Sequence, residues 1–112
     1  MKAATVKEIK DQLLELPQKD LVELCLKLSK FKKENKELLT YQLFEAHDEQ
    51  GYTSSIYAAL DILFAEVNTK SIYIAKKNLR KIVRTAARYI RYSNETSTEA
   101  DVLIYVCSEI KK

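Results

Sequence analysis

Few residues in this chain have the chemistry of an active site. A single histidine, His47, sits in Ala46-His47-Asp48-Glu49, and one imidazole excludes any cluster of histidine ligands for a metal. A general base there would need a nucleophile or a polar pocket beside it, and the sequence offers neither. The stretch reads instead as a solvated helix end, where a cation meets the C-terminal dipole. Glu45 and Glu49 pair carboxylates at i,i+4, a spacing common on acidic helix faces. The only glycine, Gly51, leaves no material for a phosphate-cradling loop. Cys25 falls at a helical apolar position with Leu21, Leu24 and Leu28, and Cys107 with Leu103, Val106 and Ile110. That predicts two reduced core thiols, with a Cys25–Cys107 disulfide as the alternative. Two thiols do not complete a zinc site. No enzyme, cofactor, metal or small-molecule substrate is indicated.

What stands out is charge. Between Lys70 and Tyr92 the chain carries eight bases (Lys70, Lys76, Lys77, Arg80, Lys81, Arg84, Arg88, Arg91) and no acid. In the same stretch Ile72, Ala75, Leu79, Ile82, Val83, Ala86 and Ile90 recur at spacings of three and four, the inward face of a helix. At about 100° per residue, Lys77, Arg80, Lys81, Arg84, Arg88 and Arg91 share the opposite face, with Tyr73 among them. The segment just before, Glu37 to Thr69, holds six acids (Glu37, Glu45, Asp48, Glu49, Asp61, Glu66) and no Lys or Arg. The net charge of +3 therefore hides a segregated molecule.

Like charges at Lys77/Lys81, Arg80/Arg84 and Arg84/Arg88, and at Lys81/Arg84 and Arg88/Arg91, oppose the helix by ~1–2.5 kcal/mol in total. Three arrangements would offset this. The chain's own acidic helices would flank a solvated face. An acidic protein partner, or a second copy through self-association, would meet the cations with complementary potential. Nucleic acid would lie along the row, which covers ~20 Å at 1.5 Å per residue, with Tyr73 or Tyr92 stacking on a base. The modest total charge and the lack of zinc ligands, an RNP-like aromatic motif or a GxxG loop count against nucleic acid. A membrane-surface role is weaker still, because the apolar stripe is needed for the core and no Trp is present.

The elements that must position this face are helical. One Gly and one Pro leave little for turns or bulges, which points to an all-α fold. Thr5-x-x-Glu8 predicts a capping box, followed by Val6, Ile9, Leu13 and Leu14 at helical spacing. Pro17 stops that helix near Leu16 and suits the first turn of the next, roughly 18 to 31, which is expected to bury Leu21, Leu24, Cys25, Leu28 and Phe31. The polar run 32–36 is the expected break, with Asn35 as N-cap. A third helix, from Glu37 to about Glu49, spreads Leu38, Leu39, Tyr41, Leu43, Phe44 and Ala46 around its circumference and is predicted to be central. Gly51 fits a C-cap, with Thr53-Ser54-Ser55 opening a fourth helix that carries Ile56, Leu60, Leu63, Phe64 and Val67. Asn68-Thr69 turns into the basic helix and Ser93-Asn94 ends it. Thr96-x-x-Glu99 opens a sixth, with Ala100, Leu103, Cys107 and Ile110 inward.

About six helices with short connections imply antiparallel neighbours, either an irregular compact bundle or a short superhelix of αα-hairpins. No repeat at the periods of the familiar helical arrays is present. At 112 residues the expectation is a single domain, residues 1–112. Neither a leader-like apolar run nor a membrane-length one is present, so a cytoplasmic location is expected. Without secretion the sequon Asn94-Glu95-Thr96 carries no weight. The stretch LVELCLKL (21–28), with FKKENKELL (31–39) and Leu43-Phe44-Glu45, resembles small bacterial proteins of uncharacterised all-helical families. That resemblance implies an all-helical fold and carries over no functional residue. Taken together, the sequence predicts a non-catalytic interaction module whose contact surface is the cationic face.

Overall fold

The computed structural model describes residues 1–111, and they form six α-helices with no strand among them. The fold is all-α. The contacts group the described residues into two compact units, Met1–Leu39 and a second that begins at Thr40.

In the first unit, α1 (Val6–Leu14) opens on the predicted box. Thr5 Oγ1 accepts the Glu8 N–H at 3.2 Å, and Glu8 Oε1 accepts the Thr5 N–H at 3.3 Å. Pro17 is the N-cap of α2 (Gln18–Phe31), whose bounds are those the sequence predicts. Extended backbone at Lys32 breaks the helix, and α3 (Lys33–Thr40) begins earlier than expected. Asn35 caps differently from the prediction: its Nδ2 donates to the Leu28 carbonyl at 2.9 Å, satisfying a C-terminal oxygen of α2. None of these three helices has a buried residue. Leu24, Cys25, Leu28 and Phe31, expected inside, are exposed, and Leu21 is half-buried. Three short amphipathic helices do not enclose an interior by themselves.

The second unit has the core. From α3 the chain runs on through a turn of π-helix, Tyr41–Glu45, closed by the Ala46 N–H to Tyr41 carbonyl bond of 2.8 Å. Tyr41 is buried, but Leu43 and Phe44 face outward, so this stretch is not the central helix its composition predicts. The central element is α4 (Glu49–Ala65), which buries Tyr52, Thr53, Ile56 and Leu60. Asp48 starts it by accepting the Gly51 N–H at 3.0 Å. Gly51 is thus inside the first turn and is not a C-cap. A Cβ there would lie 2.3 Å from Asp48 Oδ2, so glycine leaves room for the capping carboxylate. Thr53, expected near a cap, instead donates its hydroxyl to the Glu49 carbonyl at 2.9 Å.

Asn68 Oδ1 accepts the Lys70 N–H at 2.8 Å, and Ser71 caps α5 (Ile72–Ser93). Asn94 ends α5 in the left-handed region at φ 55°, where its N–H still reaches the Ile90 carbonyl at 2.9 Å. The N-cap of α6 (Thr96–Ile110) is Glu95, whose own N–H is taken by Ser93 Oγ at 3.1 Å. The predicted box at Thr96 and Glu99 does not form, because Thr96 is already helical.

α4, α5 and α6 each pack on the other two, a bundle rather than a stack of hairpins, and the π turn packs on α4 and α5. Tyr41, Tyr52, Ile56, Leu60, Ile82, Ala86, Val102 and Val106 make the buried cluster. The inward face of α6 is Thr98, Val102 and Val106, not the predicted Ala100, Leu103, Cys107 and Ile110, all of which are exposed. Cys107 turns outward with them. Both cysteines are exposed free thiols, not core thiols and not a disulfide.

Candidate functional site

The surface built by α5 begins with its long uninterrupted repeat. Ile82 and Ala86 are buried against α4 and α6, and Ala75, Leu79 and Ile90 are half-buried beside them. Ile72 and Val83, predicted for the same face, are exposed. Val83 lies about 100° from Ile82, at the margin of the buried arc. The cationic arc starts just beyond that margin. Lys77, Arg80, Lys81, Arg84 and Arg91 are exposed, and Tyr73 among them is 77% exposed. Arg88 differs: it is half-buried, with its guanidinium 5.4 Å from the centre of the Tyr89 ring. Among the described residues, no carboxylate is within ion-pair reach of Lys77, Arg80, Lys81, Arg84 or Arg91.

Three of the six acids that precede α5 in sequence are occupied elsewhere. Asp48 caps α4. Glu49 accepts the Tyr41 hydroxyl on one oxygen and the Thr98 hydroxyl on the other, the latter at 2.5 Å. Asp61 accepts the Tyr105 hydroxyl. These carboxylates tie α4 to the π turn and to α6, so they act as structural acceptors. Tyrosine supplies much of the rest. Tyr52 Oη donates to the Tyr89 carbonyl at 2.5 Å, Tyr41 meets Tyr52 edge-on, and Tyr57 stacks on Tyr105 with ring centres 4.2 Å apart. Burial, followed by the bond to Glu49, pushes the Tyr41 phenol up to about 12. The bond to Asp61, followed by burial, pushes Tyr105 up to about 12. Burial also raises Tyr52 and Tyr57.

Next to the cations is an apolar strip that sequence reasoning assigned to the interior. A depression of about 550 Å³ is lined by Lys77, Leu79, Arg80, Val83 and Arg84. A groove of about 440 Å³ between α5 and α6 continues along Val83, Ala87, Ile90, Leu103 and Cys107, with Arg91 at its rim. The signal for this strip was the angular position of Val83 and Ala87, midway between Ile82 and Arg84 on the helix circumference. His47 is exposed in the turn before α4. Among the described residues, no group of three His, Cys, Asp or Glu side chains is placed to hold a metal, and no helix is long and apolar enough to cross a membrane. Set against protein-family models, curated proteins and solved structures, the chain matches none.

Proposed function

We propose that the chain is a non-catalytic interaction module that binds an acidic polypeptide partner through the cationic face of α5. The observation that carries the reading is the exposed row Lys77, Arg80, Lys81, Arg84 and Arg91, which no described carboxylate of the chain engages. Five like charges on one helix, without a carboxylate partner among the described residues, are relieved when an outside anion meets them. Arg88 and Tyr73 border the same face. The adjoining strip of Val83 and Ala87 favours a polypeptide over a phosphate backbone, because a phosphate backbone brings no apolar side chain to cover it. Two unpaired thiols suit a reducing cytoplasm, where this reading places the protein.

The double variant Arg80→Glu/Arg84→Glu tests it, titrated with polyglutamate and with labelled single- and double-stranded DNA and RNA at two salt concentrations. Wild type is expected to bind polyglutamate with an affinity that falls as salt rises, and the variant to bind roughly tenfold or more weakly, equivalent to about 1.4 kcal/mol. Equal binding by both proteins overturns the reading. Tight, steeply salt-dependent binding to DNA or RNA with none to polyglutamate moves the face to nucleic acid.

A further inference from the structure

The unit Met1–Leu39 raises a separate question: it holds three helices and no buried residue. We infer that a second copy of the chain completes it, with α2 packing antiparallel on the α2 of its partner. This stands independently of the reading of α5, since it uses other residues and another kind of force.

Size is the first argument. A unit of about 40 residues does not bury enough apolar surface to be stable unaided, and takes either a covalent or metal staple or a partner. Cys25 is the only cysteine of this unit, so no disulfide closes within it. The second argument is the pattern of α2. Leu21, Leu24, Cys25, Leu28 and Phe31 recur at three and four, and all but Leu21 are exposed, Phe31 by 77%. Such a stripe is what helix-on-helix packing uses.

Charge selects the occupant. Residues 1–39 hold nine lysines and seven acids, close to balance, so the unit neither strongly repels its own copy nor calls for a strongly charged partner. Along one edge of the stripe lie Asp20 and Lys27. Reversing one copy against the other brings Asp20 of each toward Lys27 of the other, a self-complementary arrangement of the kind a two-fold axis requires. In that arrangement the axis passes between Glu23 and Leu24, midway from Asp20 to Lys27, which places the two copies of Cys25 within about one helical turn of each other along the axis.

The test uses the full chain in sedimentation equilibrium across low to high micromolar concentration, at low and high salt. The expected result is a dimer that high salt does not dissociate, because the interface is apolar, whereas contacts through the α5 face weaken with salt. Leu28→Asp, at an exposed site, is expected to raise the dimer dissociation constant by roughly 100-fold or more, the loss of one buried leucine from each copy. Circular dichroism of that variant should keep the signal of α4, α5 and α6 and, at concentrations where it is monomeric, lose that of α1, α2 and α3. In a Cys107→Ser background, a short bis-maleimide should join two chains through Cys25. A monomer at every concentration overturns the inference, with apolar cover from the chain's own second unit as the replacement. A dimer that survives Leu28→Asp and resists cross-linking at Cys25 overturns it equally.

Discussion

Tyr41 and Tyr105 each donate a phenolic proton to a carboxylate, Glu49 and Asp61 respectively, and each bond exists only while the phenol is protonated. Both phenols are held up to about 12, against an ordinary value near 10 for an unfolded chain. A group whose folded pKa is raised contributes stability that is fully present below its unfolded pKa and is lost as pH rises through the folded one. The stability these two phenols contribute to the second unit should therefore be fully present below ~10 and be lost from there to ~12. Urea unfolding at stepped alkaline pH checks this, and a Tyr41→Phe/Tyr105→Phe variant should flatten the decline. The same residues show what was hidden in the sequence. Glu49 and Asp61 belong to a run of acids that looked available to neutralise α5. Their partners, Tyr41, Thr98 and Tyr105, lie 8, 49 and 44 residues away, and only the fold brings them together.

Element boundaries follow a different logic from element faces. The capping box at Thr5, the stop at Pro17 and the end of α5 at Asn94 were legible because each depends on a few adjacent residues and their backbone angles. Asn94 is the sharpest case, with φ 55° where most side chains are strained. Asn94→Ala should cost about 1 kcal/mol and Asn94→Gly close to nothing, measured as a shift in the denaturation midpoint. Faces were legible only where the pattern is one-sided. On α5 the cations exclude half the circumference from the core, and the cationic arc could be placed by angle alone. On α6, Val102-Leu103-Ile104-Tyr105-Val106 is apolar without interruption, so periodicity does not choose among phases. The choice is made by α4: Thr98 enters because Glu49 takes its hydroxyl, and Val102 and Val106 follow one and two turns later. Leu103 and Cys107 are then turned to the α5–α6 groove.

At the scale of the whole chain, apolar content alone does not place residues inside. The two units use it in opposite ways. The second gathers its aromatic and branched residues from α4, α5, α6 and the π turn into one cluster, in which Leu60 and Val102 have no exposed surface. The first lays comparable residues along helix faces that remain open. Composition averages over both, which is why a core in every helix was the natural expectation. The phenols that hold the second unit together also decide how it emits light. With seven tyrosines and no tryptophan, tyrosine dominates the chain's ultraviolet fluorescence. An excited phenol becomes a much stronger acid, and one already hydrogen-bonded to a carboxylate passes its proton across and goes dark. Folded chains should therefore be dimmer per tyrosine than free tyrosine amide, and should brighten as urea separates Tyr41 from Glu49 and Tyr105 from Asp61.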